Sequence, residues 1–194
     1  MISYFRPYLI FCLFSLTVLF GQSYASFAGG FLRMGSSARS MAMGSGFTAE
    51  IDASFAAYHN PAAMVFLNKR QLGFSHHFLP LDRRFMAANL SAPLPPSASV
   101  GLAWVSAGVD KIDGRSIAGE HTQYLSTSED AFFISFAQKI LPWFSVGLNI
   151  KILNHQLPMN TMNIAGKGMG MDFGVFIHSE SGPNLAFMVQ DLNS

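Results

Sequence analysis

The chain has 194 residues, of which 50% are hydrophobic and 13% aromatic but only 12% charged, against about 25% charged in an ordinary soluble domain. A net charge of +1 gives no basis for a nucleic-acid partner, and this apolar content excludes intrinsic disorder. No apolar run follows Ala25 that reaches the roughly 20 residues of a membrane-spanning helix, so the hydrophobicity is interleaved with polar residues, as in a membrane β-barrel.

Arg6 is the single charge between Met1 and Ala25, and Tyr8 to Phe20 is almost wholly apolar. Ser23-Tyr24-Ala25 then supplies small residues at the −3 and −1 positions. A basic start, a short apolar stretch and a small-residue site predict a secretory signal peptide over 1–25, cleaved after or near Ala25. As a helix the apolar stretch would rise only about 20 Å, short of the roughly 30 Å of a bilayer core. Cys12, the sole cysteine, lies inside this leader, so the mature chain is expected to hold no thiol nucleophile, zinc–thiolate site or disulfide.

Residues 26–69 are rich in Gly, Ala, Ser and Met. A short helix is predicted from Ser36 to Met43, and a second, capped by Asp52 or Ser54, runs toward Tyr58 until Asn60-Pro61 stops it. From Gln71 the period becomes two. Leu72, Phe74, His76 and Phe78 share a face; Val100, Leu102 and Trp104 oppose Ser99, Gly101 and Ala103; Phe132, Ile134 and Phe136 alternate with Phe133, Ser135 and Ala137. Phe144, Val146, Leu148, Ile150 and Ile152 oppose Ser145, Gly147, Asn149 and Lys151. Met169, Met171, Phe173, Val175 and Ile177 oppose Gly168, Gly170, Asp172 and Gly174, and Leu185, Phe187 and Val189 begin a last stretch. Such alternation marks strands with one apolar face, and strands of about 9–11 residues with small or polar partners fit a transmembrane β-barrel.

Short connections are expected at Pro93–Ser97, Leu141-Pro142 and Ser179–Pro183, and long loops at Gly108–Ser128 and His155–Gly166. That asymmetry places the short turns and the N-terminal segment on the periplasmic side. The fold class read from these patterns is all-β: an antiparallel transmembrane β-barrel of about seven strands over 70–194, behind a short N-terminal helical hatch. Seven strands are odd and too few to close a single-chain barrel, so the chain is expected to be the first part of a longer one. A secreted β-sandwich binding module is the alternative, although its outer face should be more polar.

Phe31-Leu32-Arg33-Met34-Gly35-Ser36-Ser37-Ala38-Arg39 and Met43-Gly44 resemble the opening of mature PorV/PorQ-type outer-membrane proteins, F-L-x-[IM]-G-x-x-A-R-x-x-x-M-G. Tyr58-His59-Asn60-Pro61-Ala62 is similar to the family's next motif, with His59 where most relatives carry Trp and Ala63 where they carry Gly. The likeness continues through Asp113-Gly114-Arg115, the stretch from Ser145 to Lys151, and Gly170 to Gly174. The family is similar to FadL-type long-chain fatty acid transporters, fourteen-stranded barrels whose N-terminal hatch lies in the lumen. The resemblance implies hatch roles for Arg33, Gly35, Ala38, Arg39, Met43, Gly44, Asn60, Pro61 and Ala62, although Asn60-Pro61 also reads as plain helix termination. It further implies a non-enzymatic protein of a Gram-negative-type outer membrane that handles hydrophobic cargo or serves protein export; relatives include a type IX secretion shuttle. Expected partners are outer-membrane lipid and a hydrophobic small molecule or secretion-complex proteins, with no nucleic acid.

No catalytic, cofactor or metal site is predicted. His76 and His77 point to opposite faces of a strand, and Asp110, Asp113 and Glu120 lack calcium-loop spacing. Arg33, Arg39, Glu50 and Asp52 are the hatch charges and need partners if enclosed. Lys151 and Asp172, lumen-facing on neighbouring strands, are the expected ones, as salt-bridge anchors or as part of a substrate path.

Overall fold

The computed structural model describes residues 29–51, 54–158 and 163–192. The expected leader and the candidate cap Asp52 lie outside them. Seven strands pair antiparallel in sequence order: β1 (Gln71–Phe78), β2 (Arg83–Leu94), β3 (Ala98–Arg115), β4 (His121–Leu141), β5 (Phe144–Pro158), β6 (Asn163–Ile177) and β7 (Leu185–Val189). They form one sheet curled into half a barrel, not the two facing sheets of a sandwich.

The register turns the sequence alternation into rows. On the convex face Leu90, Leu102, Ile134, Ile150 and Met171 lie abreast. Ala88, Trp104, Phe132, Ile152 and Met169 flank them on one side, and Ala92, Val100, Phe136, Leu148 and Phe173 on the other. Large apolar side chains stay open there, Leu102 at 55% and Ile134 at 53% exposure. On the concave face Ser91, Gly101, Ser135, Asn149 and Asp172 form one row, and Ser99, Ala137, Gly147 and Gly174 the next. Higher up the same face turns apolar, with Ala87, Val105, Ala131 and Leu153 in a row. The convex face is thus apolar and open, while the concave face is polar or small over part of its height and carries a buried apolar core over the rest.

The N-terminal segment fills the concavity. A 3-10 turn (Gly30–Met34) leads to helix α1 (Ala38–Ala42), capped by Ser37, whose hydroxyl accepts from Ser40 N while Ser40 reciprocates. Helix α2 (Ala56–His59) follows, then a 3-10 turn (Pro61–Phe66) whose first N–H groups are capped by Asn60. Ser54 does not cap α2, whose N-cap is Phe55 with no side-chain bond. The core is the seam between this segment and the sheet, where Phe55, Ala57, Tyr58 and Met64 pack on Phe85, Val105, Ala131 and Phe133.

Two expected loops are largely strand. β3 runs to Arg115 and β4 starts at His121, turning through Ser116–Glu120, and β5–β6 pairing extends to Pro158 and Asn163. The hairpin ends have no buried face to impose alternation, yet two strands can pair through backbone alone. Charges there pair locally instead, Arg84 with Asp110, Lys111 with Asp82, and Arg115 with Asp113.

Candidate functional site: the seat of the helical segment

Glycines on the concave face set how closely the helical segment approaches. A Cβ at Gly101 would lie 2.8 Å from Ala57 Cβ and 2.7 Å from Met64 Sδ. At Gly147 it would run into the Ala62 backbone N and sit 2.7 Å from the Pro61 carbonyl carbon, and at Gly174 it would meet the Asn60 side chain. No such contact threatens Gly166, where the nearest atom is 3.8 Å away. We therefore expect Gly147→Ala to destabilise the seated segment by about 1–3 kcal/mol and to speed tryptic cleavage at the surface residues Arg39 and Arg70 by loosening the backbone around them, while Gly166→Ala leaves the digestion pattern unchanged.

Hydrogen bonds complete the seat. Asn149 Nδ2 donates to Ala57 O at 2.9 Å, Ser145 Oγ to Ala62 O at 2.7 Å, and Asn89 Nδ2 to Ser54 O. In return Asn60 Nδ2 donates to Val175 O at 3.3 Å and to Thr48 O at 3.1 Å, while its Oδ1 accepts from Ala62 N at 3.0 Å. Asn60 thus ends one helix, starts the next and ties both to the wall. Phe66 lies against Phe176 and His178, and Lys139 sits over its ring, at the end of the sheet that carries the β2–β3 and β4–β5 turns.

The expected charge pairing is rearranged. Lys151 and Asp172 are both fully buried and pair with each other at 2.7 Å; Lys151 also binds Asp191, whose backbone N–H donates to Asp172 at 3.0 Å. Arg39 pairs instead with Glu50 at 3.4 Å and lies over the Phe47 ring. The inner-face charges therefore hold the chain leaving β7 and, through Asn149, the Ala57 carbonyl.

Of the motif residues, Asn60, Pro61 and Ala62 are buried on the wall beside Gly147 and Gly174. Arg33, Ala38, Arg39, Met43 and Gly44 lie on the exposed side of the segment. Gly35 (φ 88°) and Gly44 (φ 60°) adopt left-handed backbone, where a Cβ is unfavourable. Ser145 and Asn149 were read in the sequence only as inward-facing residues within the stretch of family likeness, not as donors, and Asp191, beyond the end of β7, carried no signal there.

His59 is enclosed by Phe47 and Tyr58, and its Nε2 is 2.8 Å from Ser36 Oγ. Burial lowers its pKa to about 4 and raises that of the Tyr58 hydroxyl, with the Asp172 charge adding to the rise. Below the free value of about 6.5 the unfolded chain takes up a proton that the folded one refuses. Stability is therefore intact above pH 6.5 and falls as pH drops toward 4, by about 2 kcal/mol at pH 5. Urea midpoints at pH 7.5 and 5.0 should show this loss, and His59→Gln should remove most of it.

Above the seat a cavity of about 230 Å³ opens between Phe31 and the wall residues Leu153, Leu157 and Ile164, with Glu129, His155 and Lys167 around it. No protein-family model matches this chain, and no curated protein does.

Proposed function

We propose that this chain forms part of an outer-membrane β-barrel of PorV/PorQ type, with the N-terminal segment as a hatch and no catalytic chemistry of its own. The observation that carries this reading is the convex face. It is an apolar band free of charged side chains, running from the row of Ala88 and Phe132 down to Phe144, Ile177 and Leu185. Roughly ten residues of strand, tilted by about 40°, give a band near 25 Å tall, the height of a barrel's lipid-facing belt. Its upper limit is a polar row with Ser106, Asp130, Asn154 and Lys167. The two Trp residues of the chain support the same limits: Trp104 donates to Asp130 at 3.2 Å at the upper edge, and Trp143 lies half-exposed beside Phe144 at the lower. Aromatic side chains gather at such interfaces because one part is apolar and another polar.

In a bilayer the outer edges of β1 and β7 need further strands to pair with. Within this reading the apolar cavity by Phe31 and Leu153 suits hydrophobic cargo, whereas the long β3–β4 hairpin suits contact with an export complex. The test is flotation of the mature protein with phospholipid vesicles on a density gradient. Migration with the vesicles, resistant to carbonate wash, is expected; a protein that stays in the soluble fraction without detergent overturns the reading.

A further inference from the structure

We propose that the concave face beneath the helical segment is a binding seat for an extended polypeptide strand of small residues, which α2 and the turn after it occupy in cis. The proposal rests on the reading of this face as a barrel lumen, and names a peptide as the partner the lumen takes.

The wall recognises main chain. Its donors, the Asn149 and Asn89 amides and the Ser145 hydroxyl, all bind carbonyl oxygens of the segment. Such contacts read no side-chain identity. Size enters through the glycines: Gly147 lets the segment's backbone approach at Pro61 and Ala62, and Gly101 leaves room for little more than a methyl group where Ala57 meets it, with the flexible Met64 thioether alongside.

The second observation is what the segment leaves undone. Asn149 Oδ1, Asn89 Oδ1 and Ser99 Oγ are buried and have no hydrogen-bond partner among the described residues. A helix explains why. The N–H groups of Tyr58, His59 and Asn60 are spent on the carbonyls of Phe55 and Ala56 within the segment, so the seat receives carbonyls and almost no N–H donors. Buried amides and hydroxyls seldom go unpaired. An extended strand presents carbonyl and N–H alternately along one edge, and so would engage both halves of each Asn amide and the Ser99 hydroxyl. The polar groups of the seat are thus better served by a strand than by the helix it holds, and a strand would enter by displacing a helix whose hold is mostly apolar packing. The apolar cavity by Leu153 is a separate feature higher in the concavity.

The experiment uses the full mature chain in detergent micelles and a fluorescein-labelled peptide of about twelve alternating Ala, Gly and Ser residues, read by anisotropy. Saturable binding is expected, several-fold tighter for Asn60→Ala, which loosens the helical occupant, and roughly tenfold weaker for Asn149→Leu, the effect of one buried hydrogen-bonding group. Ser99→Ala keeps the proposal falsifiable if Asn149→Leu misfolds: it deletes a hydroxyl with no partner among the described residues, so the fold stays intact while peptide binding drops. A silent Ser99→Ala would mean that the idle acceptors are merely hydrated and would overturn the proposal. So would a lack of saturable binding to both wild type and Asn60→Ala, or equal binding of a Leu/Gln peptide of the same length. Flotation of the same preparation separates the two readings. A chain that binds peptide but does not float refutes the barrel, and one that floats but ignores the peptide refutes the seat.

Discussion

Lys151→Met should destabilise the protein by about 3–5 kcal/mol, seen as a lower guanidinium midpoint in detergent. The cost comes from what stays behind. Asp172 is fully buried, and removing the ammonium 2.7 Å from its carboxylate leaves a charge enclosed by Asn149 and the Asp191 backbone. An unpartnered buried ion is far more costly than the net worth of the intact pair. Lys151→Met with Asp172→Asn should recover most of the loss, because the amide oxygen still accepts from Asp191 N while no charge is buried. If the double variant were as unstable as the single one, the lysine's contribution would lie in packing along its stem. The left-handed turn at Asp191 (φ 59°) should loosen in the single variant as well, since Lys151 and Asp172 help to hold it beside the Leu192 N–H bond to Met171 O.

Leu148→Lys tests the other face and should cost about 2–4 kcal/mol in vesicles. Leu148 lies in the middle row of the apolar band, between Phe136 and Phe173, so on the proposed reading its side chain sits near the bilayer midplane. A lysine there must drag its charge through hydrocarbon. Ile117→Lys, at the fully exposed β3–β4 turn, is the control and should stay within about 0.5 kcal/mol of wild type. The contrast decides between lipid and water on this face: in water Leu148→Lys would be harmless and would raise solubility. Measured by urea unfolding in phosphatidylcholine vesicles, equal stability of the two variants would sink the membrane assignment.

The parity of every strand but β2 was legible in the sequence because a half-buried sheet repeats every two residues. Phe144 to Ile152 alternates with Ser145 to Lys151, and the structure puts those two sets on opposite faces. The stop at Asn60-Pro61 was legible for a similarly local reason, since a proline constrains its neighbour. Hairpin lengths were not. Gly108 to Ser128 carries charge on both faces and reads as a loop, yet Asp110–Arg115 and His121–Thr127 pair as a ribbon through main-chain bonds that leave no residue pattern.

The seat itself needed the third dimension. Gly101, Gly147 and Gly174 look alike in sequence to Gly166, and only the approach of Ala57, Ala62 and Asn60 separates the required glycines from the free one. Partner choice among the charges was equally closed to sequence. Lys151 and Asp172 were placed on neighbouring inner faces by parity, but Asp191 enters because the chain leaving β7 folds back over them. Periodicity depends on neighbours along one strand, so the residues alone determined which side of the sheet each side chain takes. Contact between distant segments depends on register, curvature and the depth of a glycine notch, and those the tertiary structure decided.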